Sequence, residues 1–318
     1  MEKQPTPELA PDTSGAPGWL EDALAVPREE GWVEADGCSI HYFRWGERSK
    51  PPVLMLHGFL AHARCYGFIA PMLSDDYHVV AYDFSGMGDS GVRQSYPETV
   101  RVPELLAVAE ATGLFNHEKK PMLIAHSYGG NVGLATMESH SDLFAGLILC
   151  DVMTLRPKRL LKHFEGRGGP PGSQDPNRPN RVYPDYATAK GRFVLSPPQP
   201  VAEPALFDYM AYHSLKQVDE GWTWKFDPRV FNREGDHREQ LLKQGQRIVA
   251  APGRKALVYG QRSYLFDDDS ADYLHECGGE DIPMIGIPNA AHHLMLDQPI
   301  AFAMVLRTLL ATHFKTSG

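Results

Sequence analysis

The stretch "LIAHSYGGNV", residues 123–132, decides the fold because it places a lone serine between two segments of different character. The apolar run before Ser127 is typical of a buried strand, and the segment after it is typical of a helix. Ser127 can be a helix N-cap at such a junction. It can also be a nucleophile on a strained turn, since residues 125–129 match the pattern G-x-S-x-G with Ala125 in place of the first glycine. Small residues are needed there because neighbouring chain packs closely around the serine.

The segments on either side of this stretch alternate between strand and helix patterns. Most of the strand patterns are continuous apolar runs, as expected for strands buried on both faces. They read "CSIHYFRWG", "PVLMLHG", "HVVAYDF", "PMLIAH", "GLILCD", "KALVYG" and "DIPMIGIP". Helix patterns cover residues 63–73, 102–112, 129–139 and 300–314. This alternation predicts an α/β fold in which helices flank a mostly parallel sheet.

The alternation is interrupted after Asp151. Residues 152–250 combine short helical patterns with breaker-rich segments such as "GRGGPPGSQDPNRPNRVYP". We therefore predict a core of residues 31–151 and 251–318, with residues 152–250 inserted as a mainly helical cap. Ligands of open α/β sheets bind at the sheet edge from which this insertion leaves, so the cap is placed to cover a site. Residues 1–30 are polar and proline-rich at their start and predict a poorly ordered arm.

Composition narrows the class of protein. The chain has 318 residues, of which 42% are hydrophobic, and a formal net charge of −9. A globular core follows, and the negative charge argues against general affinity for nucleic acid or anionic membranes. Its four cysteines show no metal-site spacing, and we see neither a signal segment nor a membrane span. We expect a soluble cytoplasmic protein with reduced thiols and no nucleic-acid or membrane partner.

The loop after a second buried strand complements the serine. Acyl transfer to a serine requires two N–H groups aimed at the oxyanion that develops on the substrate. Phe59, in the strand-end segment "HGF", and Tyr128 are predicted to supply these groups from their backbones. His57 in the same segment is interpreted as a hydrogen-bonded structural histidine and not as a base.

A nucleophilic serine also needs a base. The segment "IPNAAHHLMLDQPIAF" follows the last predicted strand and contains His292 and His293. The two histidines are adjacent, so only one of them can easily point at Ser127. The order serine, acid, histidine along the chain suits an α/β fold with a nucleophile at a strand-to-helix turn.

With these motifs, the chain resembles the α/β-hydrolase superfamily. The segments "HGF", "DFSGMGDS", "AHSYGG" and "AHHLMLDQP" occur in the family's order. The resemblance implies the α/β-hydrolase fold, with the cap inserted after the family's sixth strand, "GLILCD", and it implies no metal or cofactor. It also implies that the base is His292, seven residues before Pro299, and that Asp83 is structural.

The acid is where the sequence departs from the family. Members usually carry it three residues after a glycine that ends the seventh strand, and the matching residue here is Ser263. A serine cannot hold an imidazolium as a carboxylate does. Asp151, directly after "GLILC", is the favoured acid, and some members carry theirs at this place. The run Asp267-Asp268-Asp269 stays open as the alternative, although three acids before a helix also suit its N-terminus.

The cap suggests the type of substrate. Trp222 and Trp224 alternate with Thr223, so both are predicted to face the site, and an apolar substrate of moderate size follows. The chain is thus predicted to be a serine hydrolase that cleaves a carboxylic ester or lactone. Two alternatives remain open: a hydrolase of C–C bonds with the same triad, and a non-catalytic ligand receptor, which the displaced acid would favour. A homodimer is compatible with the sequence.

Overall fold

The computed structural model describes residues 15–165, 178–232 and 237–313, and its centre is an eight-stranded sheet. In chain order the strands of the described residues are β1 (Glu29–Ala35), β2 (Cys38–Trp45), β3 (Pro52–Leu56), β4 (His78–Tyr82), β5 (Met122–His126), β6 (Gly146–Cys150), β7 (Leu215–Val218), β8 (Gly221–Trp224), β9 (Arg254–Gly260) and β10 (Met284–Ile287). Of these, β7 and β8 form a separate two-stranded sheet. The order in the sheet is β1-β2-β4-β3-β5-β6-β9-β10. In this spatial order, all neighbouring pairs from β4 to β10 are parallel, so the predicted mostly parallel sheet is confirmed.

Helices flank this sheet, as the alternating sequence patterns predicted. They are α1 (Gly18–Ala25), α2 (Arg101–Ala111), α3 (Tyr128–His140), α4 (Pro157–Phe164), α5 (Tyr186–Lys190), α6 (Pro204–His213), α7 (His237–Leu242), α8 (Gln244–Ala250), α9 (Asp268–Glu276), α10 (Leu294–Asp297) and α11 (Pro299–Thr308). A π-helical segment, Leu309–His313, continues α11.

Two apolar clusters fill the space between the sheet and the helices. Successive residues of β3 show the division, because Val53 and Met55 join one cluster while Leu54 and Leu56 join the other. Side chains alternate between the two faces of a strand, so each cluster occupies one face of the sheet. Every residue of β3, β4, β5 and β6 is buried, which explains why their sequences are continuous apolar runs.

The predicted arm is more ordered than its composition suggested. Within the described residues, α1 packs Leu20 and Ala23 into the core, and β1 pairs with β2 along its whole length. The sequence "EEGWVEA" of β1 was not predicted as a strand because this edge strand is mostly exposed and lacks apolar alternation. Residues 1–14 of the arm lie outside the described residues.

The helix predicted at residues 63–73 is instead two 3₁₀ turns, Ala63–Tyr66 and Ala70–Met72. Pro71 explains the difference. Proline has no backbone N–H, and its ring clashes with the carbonyl four residues earlier in an α-helix. The chain therefore forms short turns. Tyr66 in the first of them donates its hydroxyl proton to the Leu56 carbonyl at 2.8 Å.

The chain between β6 and β9 is the segment for which the sequence predicted a mainly helical cap. It contains α4 to α8 and also the antiparallel hairpin of β7 and β8, so the description as mainly helical was incomplete. Side chains fasten it to the core at several points. The Tyr96 hydroxyl donates to Asp227 at 2.7 Å, and Gln244 donates to Asn131 at 2.9 Å.

Two further features concern the described residues as a whole. No helix in them combines the length and the apolar character that crossing a membrane requires. All four cysteines are free thiols, and Cys150 is fully buried as expected for a small apolar side chain.

Candidate active site

Ser127 occupies a strained turn between β5 and α3. Its φ of 52° and ψ of −117° lie in a region that non-glycine residues rarely adopt. The turn is fixed from both sides, because the Ser127 N–H donates to the Cys150 carbonyl at 3.0 Å and its own carbonyl accepts from Gly130 at 2.9 Å. Such a turn lifts one side chain out of the sheet edge, as a nucleophile requires.

The small residues around Ser127 have direct steric reasons. A Cβ at Gly129 would lie 2.5 Å from the Leu56 carbonyl oxygen, so no larger residue fits there. Ala125 replaces the glycine of the common pattern, and its methyl group faces Gly133 of α3. A Cβ at Gly133 would lie 3.3 Å from that methyl group. The glycine therefore makes room for the alanine, and the departure from the pattern leaves the turn intact.

His292 and Asp151, which the sequence predicted as base and acid, lie in contact in the interior. His292 Nδ1 lies 2.8 Å from Asp151 Oδ1, and both side chains are almost fully buried. Asp151 follows β6 directly, and its φ of 46° turns the chain out of the sheet. Its other oxygen, Oδ2, accepts the backbone N–H of Gly260 at 2.9 Å. A buried carboxylate paired with a ring N–H holds an imidazole in one tautomer and orientation.

Ser263 contributes to the same group of contacts. Its hydroxyl lies 2.6 Å from Asp151 Oδ1, the oxygen that also contacts His292. The residue at the family's usual acid position therefore contacts the carboxylate of Asp151 instead of carrying one.

Two of the three alternative acids after β9 have other partners. Asp267 caps α9 by accepting the Ser270 N–H at 3.1 Å, and it pairs with Arg159 at 2.8 Å. The hydrogen bonds from Arg159 hold the pKa of the Asp267 carboxyl below its usual range. Asp269 pairs with Arg156 at 2.8 Å and also with Arg159. These contacts join α9 to α4 and orient the two carboxylates toward the cap.

The loop that bears His292 is also tied to the end of β5. His126 Nε2 lies 2.9 Å from the carbonyl oxygen of His292, and the two rings are 4.7 Å apart between centroids. A carbonyl only accepts, so His126 is the donor and its proton is on Nε2. Burial lowers the pKa of His126 well below its ordinary value, which keeps it neutral. His126, the residue before Ser127, thereby ties the loop that carries His292 to the end of β5.

His293 differs from its neighbour in its hydrogen-bond partners. Its backbone N–H donates to Gln199 Oε1 of the cap at 2.9 Å, and its side chain lines a cavity under the cap. Burial lowers the pKa of His293 to about 3, so the ring is neutral in the physiological range. Of the two adjacent histidines, His292 is the one that contacts a carboxylate.

The loop at residues 57–59 packs against Ser127. A Cβ at Gly58 would lie 3.4 Å from that of Ser127, and the rings of Phe59 and Tyr128 are 5.7 Å apart. Tyr128 is the first residue of α3, where backbone N–H groups point away from the helix. His57 Nδ1 donates to the Gly58 carbonyl at 2.7 Å and its Nε2 accepts from Phe84 at 3.1 Å. These bonds give His57 the structural surroundings that the sequence predicted.

Within the described residues, no hydrogen bond joins the Ser127 hydroxyl to His292. Catalytic hydrogen bonds are often long in enzymes without substrate and tighten when it binds. The hydrogen bond from the His126 side chain to the His292 carbonyl brings the end of β5 and the His292 loop together.

A cavity of about 430 Å³ lies between the cap and the core loop at Phe59. Its walls are largely apolar and include His126 and His293, the immediate neighbours of Ser127 and His292. Of the two predicted substrate-contacting tryptophans, one lines the cavity. Trp224 lines this cavity, whereas Trp222 packs against Tyr186 at 5.2 Å between ring centroids and does not line it.

One group of described residues has the spacing of a metal site, namely His41, Asp83 and Asp89, with ligand atoms within 4.8 Å of one another. Both ring nitrogens of His41 already contact carboxylates, Asp83 at 2.7 Å and Glu30 at 2.8 Å. Asp83 also accepts the N–H groups of Ala63 at 2.5 Å and Asp89 at 2.9 Å. These bonds shape the turn after β4, which is the structural role that the sequence assigned to Asp83.

Comparison with known proteins adds the family context. Residues 53–305 match the model of the alpha/beta hydrolase family. A serine hydrolase-like protein of Danio rerio is 28% identical over 280 residues, covering 84% of this chain and 83% of the relative. A serine hydrolase-like protein of Homo sapiens is 32% identical over 142 residues, covering 43% of this chain and 64% of the relative.

Solved structures share the fold at low sequence identity. The chain aligns with an E-2-(acetamidomethylene)succinate hydrolase at a TM-score of 0.70 and 15% identity, covering 90% of this chain and all of the other. An esterase from Mycobacterium tuberculosis gives a TM-score of 0.67 and 21% identity, covering 93% of this chain and 96% of the other. These likenesses concern the fold, in which the elements around Ser127 and His292 have the arrangement described above.

Proposed function

The chain belongs to the alpha/beta hydrolase family and is a hydrolase, and we propose that it cleaves a carboxylic ester or lactone through Ser127, His292 and Asp151. The observation that carries this proposal is the buried contact between His292 Nδ1 and Asp151 Oδ1, formed by a loop that is tied to the strand before Ser127. A pairing of base and carboxylate beside a strained serine suits nucleophilic catalysis.

The reaction proceeds in two halves. Ser127 Oγ attacks the carbonyl carbon while His292 Nε2 takes the hydroxyl proton, and Asp151 stabilises the imidazolium through Nδ1. The Phe59 and Tyr128 amides stabilise the oxyanion. The alkoxide leaves with the proton from His292, and an acyl-serine remains. Water then attacks this ester, His292 accepts the water proton and returns it to Ser127 Oγ, and the carboxylic acid is released.

The cavity supports an apolar substrate of moderate size. Its volume of about 430 Å³ is within the range of small-molecule pockets, and aromatic side chains such as Phe193, Trp224 and Phe231 form much of its wall. Among the described residues, no acidic side chain lines it. An ester or lactone with an aromatic or branched apolar part fits these walls better than a sugar or a peptide.

A panel of aryl esters and lactones tests the proposal with the wild type and Ser127→Ala. We expect turnover of some members and a loss of about 10⁴-fold or more in the variant. A fluorophosphonate probe should label the wild type and leave Ser127→Ala unlabelled. A folded Ser127→Ala protein that retains near wild-type turnover would refute the triad, and turnover of a ring-cleavage dienoate without any ester turnover would favour C–C bond hydrolysis.

A further inference from the structure

Ser263 has a hydroxyl whose direction is set by its neighbours. Its oxygen accepts the backbone N–H of Leu265 at 3.2 Å and lies 2.6 Å from Asp151 Oδ1. An ionised carboxylate can only accept, so the hydroxyl proton points at Asp151. Ser263 is buried, with only 6% of the residue exposed.

The carboxylate of Asp151 is therefore held by three donors. Ser263 and His292 share Oδ1, at 2.6 Å and 2.8 Å, and the Gly260 N–H occupies Oδ2 at 2.9 Å. Two of these donors come from the end of β9 and the loop after it, and they do not depend on the histidine. These two donors alone therefore fix the plane of the Asp151 carboxylate.

We propose that Ser263 is a positioning residue that fixes Asp151 in the orientation that meets His292 Nδ1, an inference that rests on the proposed function. The terminal torsion of an aspartate is broad, so a carboxylate held at one oxygen only can rotate. Rotation by a few tens of degrees would take Oδ1 away from the imidazole. Ser263 removes this freedom and, as a donor to a charged group, forms one of the stronger kinds of hydrogen bond.

A merely structural role is the competing explanation, because the Leu265 contact also shapes the loop after β9. The two roles differ in how they combine with a change at Asp151. If Ser263 acts through the Asp151 carboxylate, its loss has little further effect once that carboxylate is gone. If Ser263 only supports the loop, its replacement lowers kcat by the same factor with and without the Asp151 carboxylate, as changes at independent sites do.

A double-mutant cycle tests this with Ser263→Ala and Asp151→Asn, using the best ester of the substrate panel. Loss of a hydrogen bond to a charged group predicts a kcat about 10- to 100-fold lower for Ser263→Ala with KM within about twofold of the wild type. In the Asp151→Asn background, the same change should lower kcat by less than about threefold. Ser263→Thr keeps the hydroxyl and should retain most of the wild-type kcat.

Two results would overturn the inference: a wild-type kcat in Ser263→Ala, or equal losses in both backgrounds. Circular dichroism reports whether Ser263→Ala is folded. If it is not, Ser263→Cys replaces it in the cycle, because cysteine fills similar space and is only a weak donor. Ser127→Ala is assayed alongside. If it is inactive while Ser263→Ala is unaffected, only the positioning role fails, whereas an active Ser127→Ala contradicts the proposed function itself.

Discussion

Gln199 of the cap accepts a hydrogen bond from the backbone N–H of His293 at 2.9 Å, so the cap is bonded to the loop that carries the proposed base. The amide group of Gln199 also donates to Asp297 Oδ2 at 2.9 Å, and that carboxylate accepts the N–H of Ala291 at 2.6 Å. The backbone on both sides of His292 is thereby held by one network. Its position depends on the cap as well as on the core.

Replacing Gln199 should therefore weaken catalysis although it does not touch the triad. We expect Gln199→Ala to lower kcat about three- to tenfold, the effect of losing one or two neutral hydrogen bonds that position a reacting group. Gln217→Ala is the matched control, since Gln217 is an exposed residue of β7 in the same cap. Steady-state kinetics of both variants decide this, and equal kcat values for the two would show that the network does not position the base.

The pH profile should distinguish the two adjacent histidines. A base must be neutral to accept a proton, so the rate falls in acid as the base becomes protonated. The pKa of His293 lies at about 3, so protonation of His293 contributes nothing to a decline centred above pH 5. We expect His292→Ala to abolish turnover, and His293→Ala to keep the acid limb at its wild-type position. A limb that moves or disappears in His293→Ala would assign the base to His293.

Much of this architecture was predictable because buried parallel strands have a simple sequence signature. Continuous apolar runs predicted β3, β4, β5 and β6, and the serine between β5 and α3 indicated the turn at Ser127. The edge strand β1 was missed because its exposed residues show no such signature. The turns around Pro71 were mistaken for a helix, since their apolar pattern resembles one.

Within the site, the residues that the family's motifs mark were predictable, and the partners that hold them in place were not. The seven-residue step to Pro299 selected His292, and the missing carboxylate at Ser263 directed attention to Asp151. The partnership of Ser263 with Asp151 joins residues 112 positions apart, and that of Gln199 with His293 joins residues 94 apart. Pairings of this kind depend on how two loops pack, which one sequence does not reveal.

His41 should make the stability of the fold depend on pH. Burial lowers its pKa, but the hydrogen bonds that Asp83 and Glu30 accept from its ring outweigh this and raise the pKa to about 9. An unfolded histidine titrates near pH 6.5, so the folded state binds this proton more tightly. Protonated His41 therefore contributes up to about 3 kcal/mol to the free energy of unfolding. This contribution is complete below about pH 6.5, declines between pH 6.5 and 9, and is lost above pH 9.

Urea unfolding at pH 6, 7, 8 and 9 measures this dependence. The free energy of unfolding of the wild type should fall over this range, and His41→Gln should show a flatter profile because its side chain does not titrate. Parallel profiles for the two proteins would mean that other groups dominate the pH dependence of stability.

The two cap tryptophans should affect different properties. Trp224 lines the cavity, so Trp224→Ala should lower kcat/KM for bulky aromatic esters about tenfold or more relative to acetate esters, through lost apolar contact. Trp222 packs on Tyr186 within the cap, and Trp222→Ala should lower the melting temperature while the preference between the two esters stays the same. Relative kcat/KM values for an acetyl and an aromatic acyl ester measure the effect, and a changed preference in Trp222→Ala alone would reverse the assignment.

The proposed acid is tested by two asparagine substitutions with opposite consequences. Asp151→Asn replaces the carboxylate that contacts His292 Nδ1 with an amide, which stabilises an imidazolium far less. Asparagine tolerates a positive φ well, so it keeps the backbone at the 46° that Asp151 adopts. We expect kcat to fall about 10²- to 10⁴-fold with little change in melting temperature.

Asp267→Asn retains an N-cap for α9 but loses the ion pair with Arg159, so kcat should change by less than about tenfold and stability by about 1 kcal/mol or less. Measuring kcat and thermal unfolding of both variants separates the two roles. A larger loss of kcat in Asp267→Asn than in Asp151→Asn would place the acid after β9.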